Sequence, residues 1–273
     1  MSTGERVIDY RGFRNWLKEQ EQSDNTIDSY CANMKVFESF GGDFTKDNIV
    51  NFKWEMLKKR KPKTVNHYLV AISRYCKYKG ISFDVKPVKT QKQSYIQNVM
   101  THEQLDKLLS GLEKDGDERL ALYITVLAKT GARISEALQL KKSDFDKEFV
   151  QLYTKGKIRT IYLPESLRHR VKEYLKHTNY ESEMLFINRY GKAISREGFN
   201  KRLKAACGKY GIPIEVAHAH SLRHLFAVEF IKRNNNISLL ADVLGHSGLN
   251  TTMIYTRMSQ EEQIKSINET VDW

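Results

Sequence analysis

The sequence is poor in the residues that staple a fold covalently or through metal. Its three cysteines, Cys31, Cys76 and Cys207, are odd in number and form no C-x-x-C pair. Neither a disulfide framework nor a zinc site is indicated, and a reducing cytoplasm is the expected compartment. Long hydrophobic runs are also missing. The longest, "LALYITVLA" at 120–128, is too short to span a bilayer, and no signal peptide opens the chain, so no membrane partner is expected. There is no Walker A stretch, no metal-spaced set of histidines and carboxylates, no internal repeat and no low-complexity tract. Acidic residues are in deficit: 45 Lys and Arg face 33 Asp and Glu, a formal charge of +12 and a pI near 9.4. A polyanion is the expected partner, and nucleic acid fits best.

What is present is mostly helical punctuation over a length of 273 residues, enough for one large or two modest domains. Residues 1–98 hold 18 Lys and Arg against 11 Asp and Glu, so the front third is the more basic part. Its densest run, "KKRKPK" from Lys58 to Lys63, reads equally well as a solvated helix end or a phosphate-contacting patch. "ERVIDYRGFRNWLKEQ" sets Val7, Ile8, Trp16 and Leu17 at helical spacing, and "NTIDSYCANMKVFESF" does the same with Ile27, Tyr30, Met34 and Phe37. A third helix starts on Thr45 as N-cap, and a fourth, "KTVNHYLVAISRYCKYKG", ends at Gly80. In the fourth, Val65, Leu69, Ile72 and Cys76 share one face while Lys63, Asn66, His67, Arg74 and Lys77 lie on another, a face suited to a major groove.

Residues 85–98 lack periodicity and carry Pro87 among lysines and glutamines, which predicts a basic linker between a helical domain at 1–84 and a second domain at 99–273. The second domain opens with a capping box, Thr101 and Gln104, ahead of the stripe Leu105, Leu108 and Leu109. "RLALYITVLAKTGARISEALQL" predicts a helix stopped near Gly131 and a new one from about Ile134. Arg133 then sits at a helix N-terminus, where an anion belongs, or it merely pairs with Glu136. "FVQLYTKGKIRTIYLP" has the alternation of a β-hairpin with Lys155 and Lys157 at its tip. In "AHAHSLRHLFAVEF", His220, Arg223 and His224 share a helical face. Such groups repel one another unless an anion sits between them or a carboxylate such as Glu229 relieves them.

Four fragments in order resemble those of the tyrosine recombinase (phage integrase) family: "TGARISEALQL" with Arg133, "TKGKIR" with Lys155, "HSLRH" with His220 and Arg223, and "LGHSGLNTTMIYTR" with His246 and Tyr255. The match runs from about residue 5 to 260, and the two helical stretches near residues 25–40 and 63–78 are similar to the family's core-binding domain. The resemblance implies a mainly α fold with a small β-hairpin: a helical, SAM-like core-binding domain followed by a mixed α+β catalytic domain. Because helices begin so close to Met1, the compact Xer-like or Cre-like type without an arm-binding domain is expected.

The resemblance also implies roles. Tyr255 is the nucleophile that forms a 3′-phosphotyrosyl link, and His220 is the expected general base. Arg133 and Arg223 are planar forks suited to phosphate, and His246 is a phosphate hydrogen-bond donor. Asn250 or Thr251 is expected to cap the helix that presents Tyr255. Lys155 is the expected acid for the 5′-oxygen, with Lys157 as rival. No metal or other cofactor is expected, since arginines supply the positive charge. Implied partners are double-stranded DNA with inverted-repeat core sites, a homotetramer on that DNA formed through a terminal helix in "SQEEQIKSINETV", and accessory or directionality proteins. Two other readings remain at this point. A type IB topoisomerase shares the chemistry and would relax supercoils without site dependence, and a non-catalytic DNA-binding descendant would bind without forming an adduct.

Overall fold

The computed structural model describes residues 8–90, 98–154, 157–178, 181–246, 248–256, 264 and 267–271. The chain divides into two compact units, Met1–Lys92 and Gln93–Trp273. It is mainly α-helical, with one small antiparallel sheet.

The first unit holds four helices: α1 (Tyr10–Glu19), α2 (Asp24–Ser39), α3 (Lys46–Lys59) and α4 (Pro62–Lys79). The first starts later than the apolar spacing predicts because Asp9 caps it, accepting from Gly12 N at 2.8 Å, so that Ile8 packs into the core from outside the helix. Its buried stripe is Phe13 and Leu17. Both Tyr75 and Tyr78 of α4 reach back to Asp9: its backbone amide donates to Tyr75 Oη at 2.9 Å, and Tyr78 Oη donates to its carboxylate at 2.7 Å. Phe37, Phe52 and Tyr75 complete an edge-to-face aromatic core. Thr45 caps α3 through Asn48 N, and Gly80 closes α4 with φ 68°.

The extended segment after α4 is less free than a linker reading allows. Val85 is buried in the helical core, Lys53 donates to Lys86 O, and Asn66 makes a two-way amide bond with Val88, donating to its carbonyl at 2.9 Å and accepting from its amide at 2.8 Å. Residues 85–88 therefore belong to the first unit, held by side chains whose partners lie far away in sequence.

The second unit is built around α6 (Glu118–Thr130), which is buried at every position from Leu120 to Ala128. α5 (His102–Lys114), with its Thr101–Gln104 capping box, α8 (Glu165–Lys176) and α10 (Ala219–Asn234) pack onto it. A short α7 (Ile134–Ala137) follows Gly131, and the strands β1 (Phe149–Thr154) and β2 (Lys157–Tyr162) pair with Val150 opposite Ile161 and Leu152 opposite Arg159. α9 (Arg196–Lys209) and α11 (Ile237–Leu244) complete the unit. The buried polar tips of α6 are satisfied: Tyr123 donates to Leu185 O at 2.7 Å and accepts from Ile187 N at 2.8 Å, while the Thr125 and Thr130 hydroxyls donate to Ala121 O and Val126 O of their own helix. Among the described residues no helix is long and apolar enough to cross a membrane.

Candidate active site

The ends of four elements bring distant side chains together. Gly131 stops α6 in the left-handed region (φ 61°) and turns the chain so that its carbonyl accepts from Arg223 Nη1 of α10 at 2.8 Å. Arg133 follows as N-cap of α7. That helix is a single turn and offers little dipole, so the anion-site expectation weakens. The pairing with Glu136 is present instead: Arg133 Nη1 donates to Oε1 and its backbone amide to Oε2, both at 2.8 Å. Glu136 is buried, and burial alone would push its carboxyl up. The Arg133 amide and guanidinium, with the charge of Arg159, outweigh that and hold it below the ordinary carboxylate range. The Arg133 side chain still keeps 43% of its surface exposed, enough to meet a ligand.

Arg223 is 1% exposed. One Nη2 donates to Leu244 O at 2.7 Å and lies 3.1 Å from His246 Nε2. Burial, then the charges of Arg133 and Arg159, push its pKa down to about 10. Arg133 can thus meet a phosphate with the donors that Glu136 leaves, whereas the donors of Arg223 already tie together Gly131, Leu244 and His246. Its Nε is buried without a partner among the described residues.

His246 has both ring nitrogens occupied. Arginine can only donate, so Nε2 accepts from Arg223 and the proton sits on Nδ1, 2.8 Å from Thr252 Oγ1. Burial and the surrounding arginines push the ring down to about pKa 4, so it is neutral near pH 7. In this state it is not a free phosphate donor. Beyond Gly248 the chain runs through two single 3₁₀ turns, Leu249–Thr251 and Met253–Thr256, and neither Asn250 nor Thr251 caps an α-helix as expected. The β-branched Thr251, Thr252 and Ile254 lower the α-helix propensity of this stretch. The second turn presents Tyr255, 7% exposed, with its ring nearly parallel to His246 at 6.5 Å between centroids. Burial raises the Tyr255 pKa, against the opposing pull of Arg223 and Arg133.

The phenol is met by His224 and not by His220. His224 Nδ1 lies 2.7 Å from Tyr255 Oη. His220, expected to be the base, stands one helical turn earlier on the exposed rim, its ring edge-on to His224 at 4.2 Å. Its pKa is lowered by partial desolvation and then by the Arg223, His218 and Arg133 charges. Glu229 does not relieve this face; it pairs with Arg233. Lys155 and the proposed terminal helix start at Ser259 lie outside the described residues. So does the side chain of Lys157.

Arg159 is a site residue that the sequence reading missed. It is 6% exposed on the inner face of β2, with Nε 3.4 Å from Glu136 Oε1 and Nη1 3.3 Å from Asp242 O. The signal was legible: Arg159, Ile161 and Leu163 alternate on the buried side, and a charge in that series needs an internal partner.

The family's sequence profile, described as the phage integrase family, matches residues 98–262. The chain belongs to the phage integrase family. Among its relatives, the tyrosine recombinase XerA of Pyrococcus furiosus is 30% identical over 256 residues, covering 90% of this chain and 88% of that protein. The structure of the XerH site-specific recombinase bound to palindromic difH substrate, a post-cleavage complex, superposes with a TM-score of 0.66 at 26% identity, covering 82% of this chain and 70% of that one. The Tn1549 transposon integrase in complex with transposon right end DNA shares the fold, with a TM-score of 0.73 at 16% identity over 96% of this chain and 99% of that one. This tyrosine recombinase is of the compact Xer-like type, a DNA-binding enzyme of strand cleavage and rejoining.

In its first unit, Lys63, His67, Arg74 and Lys77 stand exposed along one side of α4 with Val70 among them. Asn66, half-buried beside them, also holds the fold: one donor and one acceptor of its amide are spent on Val88, a partner 22 residues away that periodicity cannot see.

Proposed function

We propose that this recombinase breaks and rejoins DNA at a specific inverted-repeat site through Tyr255. The phenol oxygen attacks a phosphodiester, giving a 3′-phosphotyrosyl link and a free 5′-hydroxyl. Arg133 grips the non-bridging oxygens, Arg223 and His246 add fixed positive and hydrogen-bonding character behind it, and His220 donates from the rim. Lys155 supplies the proton to the departing 5′-oxygen. The observation that carries this reading is the convergence of Arg133, Arg223 and His246, from three separate elements, around the buried phenol of Tyr255. On DNA, four protomers exchange strands in pairs through a Holliday junction, inside the cytoplasm, with the integration, excision or resolution of a mobile element or replicon as the outcome. Accessory or directionality proteins bias that outcome. The outer side of α4, with Lys63, His67, Arg74 and Lys77, supplies phosphate and groove contacts.

Covalent capture tests this. The protein and its Tyr255→Phe variant are incubated with fragmented source DNA, denatured, and the protein-linked fragments sequenced. Tyr255-dependent adducts converging on one inverted repeat are expected. Adducts scattered over all sequences, or tight binding without any adduct, would each overturn the site-specific reading.

A further inference from the structure

We propose that His224 is the group that takes the Tyr255 proton as the nucleophile attacks, and returns it when the strand is rejoined. The role rests on the recombinase reading above. In the cleavage step the Oη–P bond forms and the P–O5′ bond breaks, the phenol proton passes to His224 Nδ1, and the 5′-oxygen receives its own proton from the separate acid. In rejoining, the 5′-hydroxyl attacks phosphorus and Oη leaves, recovering the proton from the imidazolium.

Geometry selects His224 over the other histidines. Its Nδ1 is 2.7 Å from Oη, within reach for direct transfer. His246 lies nearly parallel to the same phenol, 6.5 Å away between ring centroids, but spends Nε2 on Arg223 and Nδ1 on Thr252. His220 touches the ring of His224 and makes no hydrogen bond to Tyr255. The charged and titratable groups facing His224 are His218, His220 and Arg223 from its own helix, His246 from the segment after α11, and the phenol itself. Apart from the phenol they are cations or potential cations, and with burial they push the ring down to about pKa 4, while burial raises the phenol. Without DNA the proton therefore stays on Tyr255, and the nucleophile rests neutral. A phosphodiester anion held by Arg133 beside Arg223 offsets that positive field and raises the basicity of the imidazole. Proton transfer is then coupled to the arrival of substrate, which spares the enzyme an exposed phenolate.

Two experiments decide the matter. The first needs no DNA: in protein labelled with ¹⁵N-histidine, the His224 resonances, assigned by their loss in His224→Gln, should show Nε2 protonated and Nδ1 as a hydrogen-bonded acceptor. Tyr255→Phe should move Nδ1 toward the free acceptor value. A proton fixed on Nδ1, or no change in Tyr255→Phe, would overturn the role. The second measures single-turnover adduct formation on the inverted-repeat duplex recovered by covalent capture. His224→Gln can still accept a hydrogen bond but cannot carry the proton, so it should react about 100-fold more slowly near pH 7 with DNA binding unchanged. The deficit should shrink as pH rises and the phenol ionises unaided. It should also shrink when Tyr255 is replaced by the more acidic, near-isosteric 2,3-difluorotyrosine in the same variant. A deficit that is equal at every pH and untouched by fluorination means that His224 only packs the site, and the role is lost. Wild-type adducts combined with a negative first experiment remove the role alone. Absence of any Tyr255-dependent adduct from the wild type removes the recombinase reading and the role together.

Discussion

Gly131 shows how one residue fixes the site. It adopts φ 61°, and a Cβ there would run into the Phe226 ring, so Gly131→Ala carries both backbone strain and a clash. The variant should lose about 1–3 kcal/mol in urea unfolding and shift the carbonyl that anchors Arg223; a variant as stable as wild type would show that the turn tolerates a side chain. The histidines give the site a pH signature. Unfolded, His224 and His246 take protons below about pH 6.5; folded, they resist until about 4. Between those values the unfolded chain binds more protons, so stability falls as pH falls through that window, and above 6.5 these two rings add no pH dependence. Thermal unfolding followed from pH 7.5 to 4 should show the melting temperature dropping across it, with a shallower drop in His224→Gln. An equal slope in the variant would mean that His224 is not held neutral by the fold.

At the scale of elements, α4 presents two different sides. Its inner side, with Val65, Leu69, Ile72 and Cys76, was legible as a 3.6-residue apolar stripe and is buried as expected. The outer side separates into exposed cations and one clamp. Removing Lys63, Arg74 or Lys77 singly should weaken DNA binding at all sequences and lower the slope of log affinity against log salt by about 1 each. Asn66→Ala should leave that slope unchanged and instead destabilise the first unit, because it strands the Val88 amide and carbonyl. A changed salt slope in Asn66→Ala would show that Asn66 itself meets DNA. The hairpin makes a similar division, Val150, Arg159 and Ile161 inward against Phe149, Tyr153, Ile158 and Tyr162 outward. Alternation revealed both faces, but only packing against Glu136 and Asp242 gave Arg159 a purpose.

For the whole molecule, the proposed assembly makes the chain's far end a test piece. Ile264, Ile267 and Val271 are exposed at 53%, 58% and 49%, apolar surface that the proposed assembly would cover. We expect that deleting residues 259–273 leaves Tyr255-dependent cleavage of a single site largely intact while abolishing cooperative pairing of two sites and strand exchange, as read by gel mobility and product analysis. Full strand exchange by the truncated protein would show that the segment does not join protomers.

The sequence by itself determined most of the helices of the first unit and the opening helices of the second, several of their caps, the buried stripes, the hairpin, the basic character and the order of fragments that marks the family. All of these are local: a cap, a period or a motif is complete within a few residues of chain. Only the tertiary structure decided which histidine meets the phenol, that Arg223 is a buried hub and not an open fork, that Asn66 holds Val88, and that Arg159 stands behind Glu136. His220 and His224 lie one turn apart on the same helix, and no periodicity separates them. What separates them is the position of Tyr255, 31 residues further on, and of the 3₁₀ turns that carry it. Hydrogen-bond partners are chosen across such distances by packing, so the chemistry of each side chain was legible while its assignment was not.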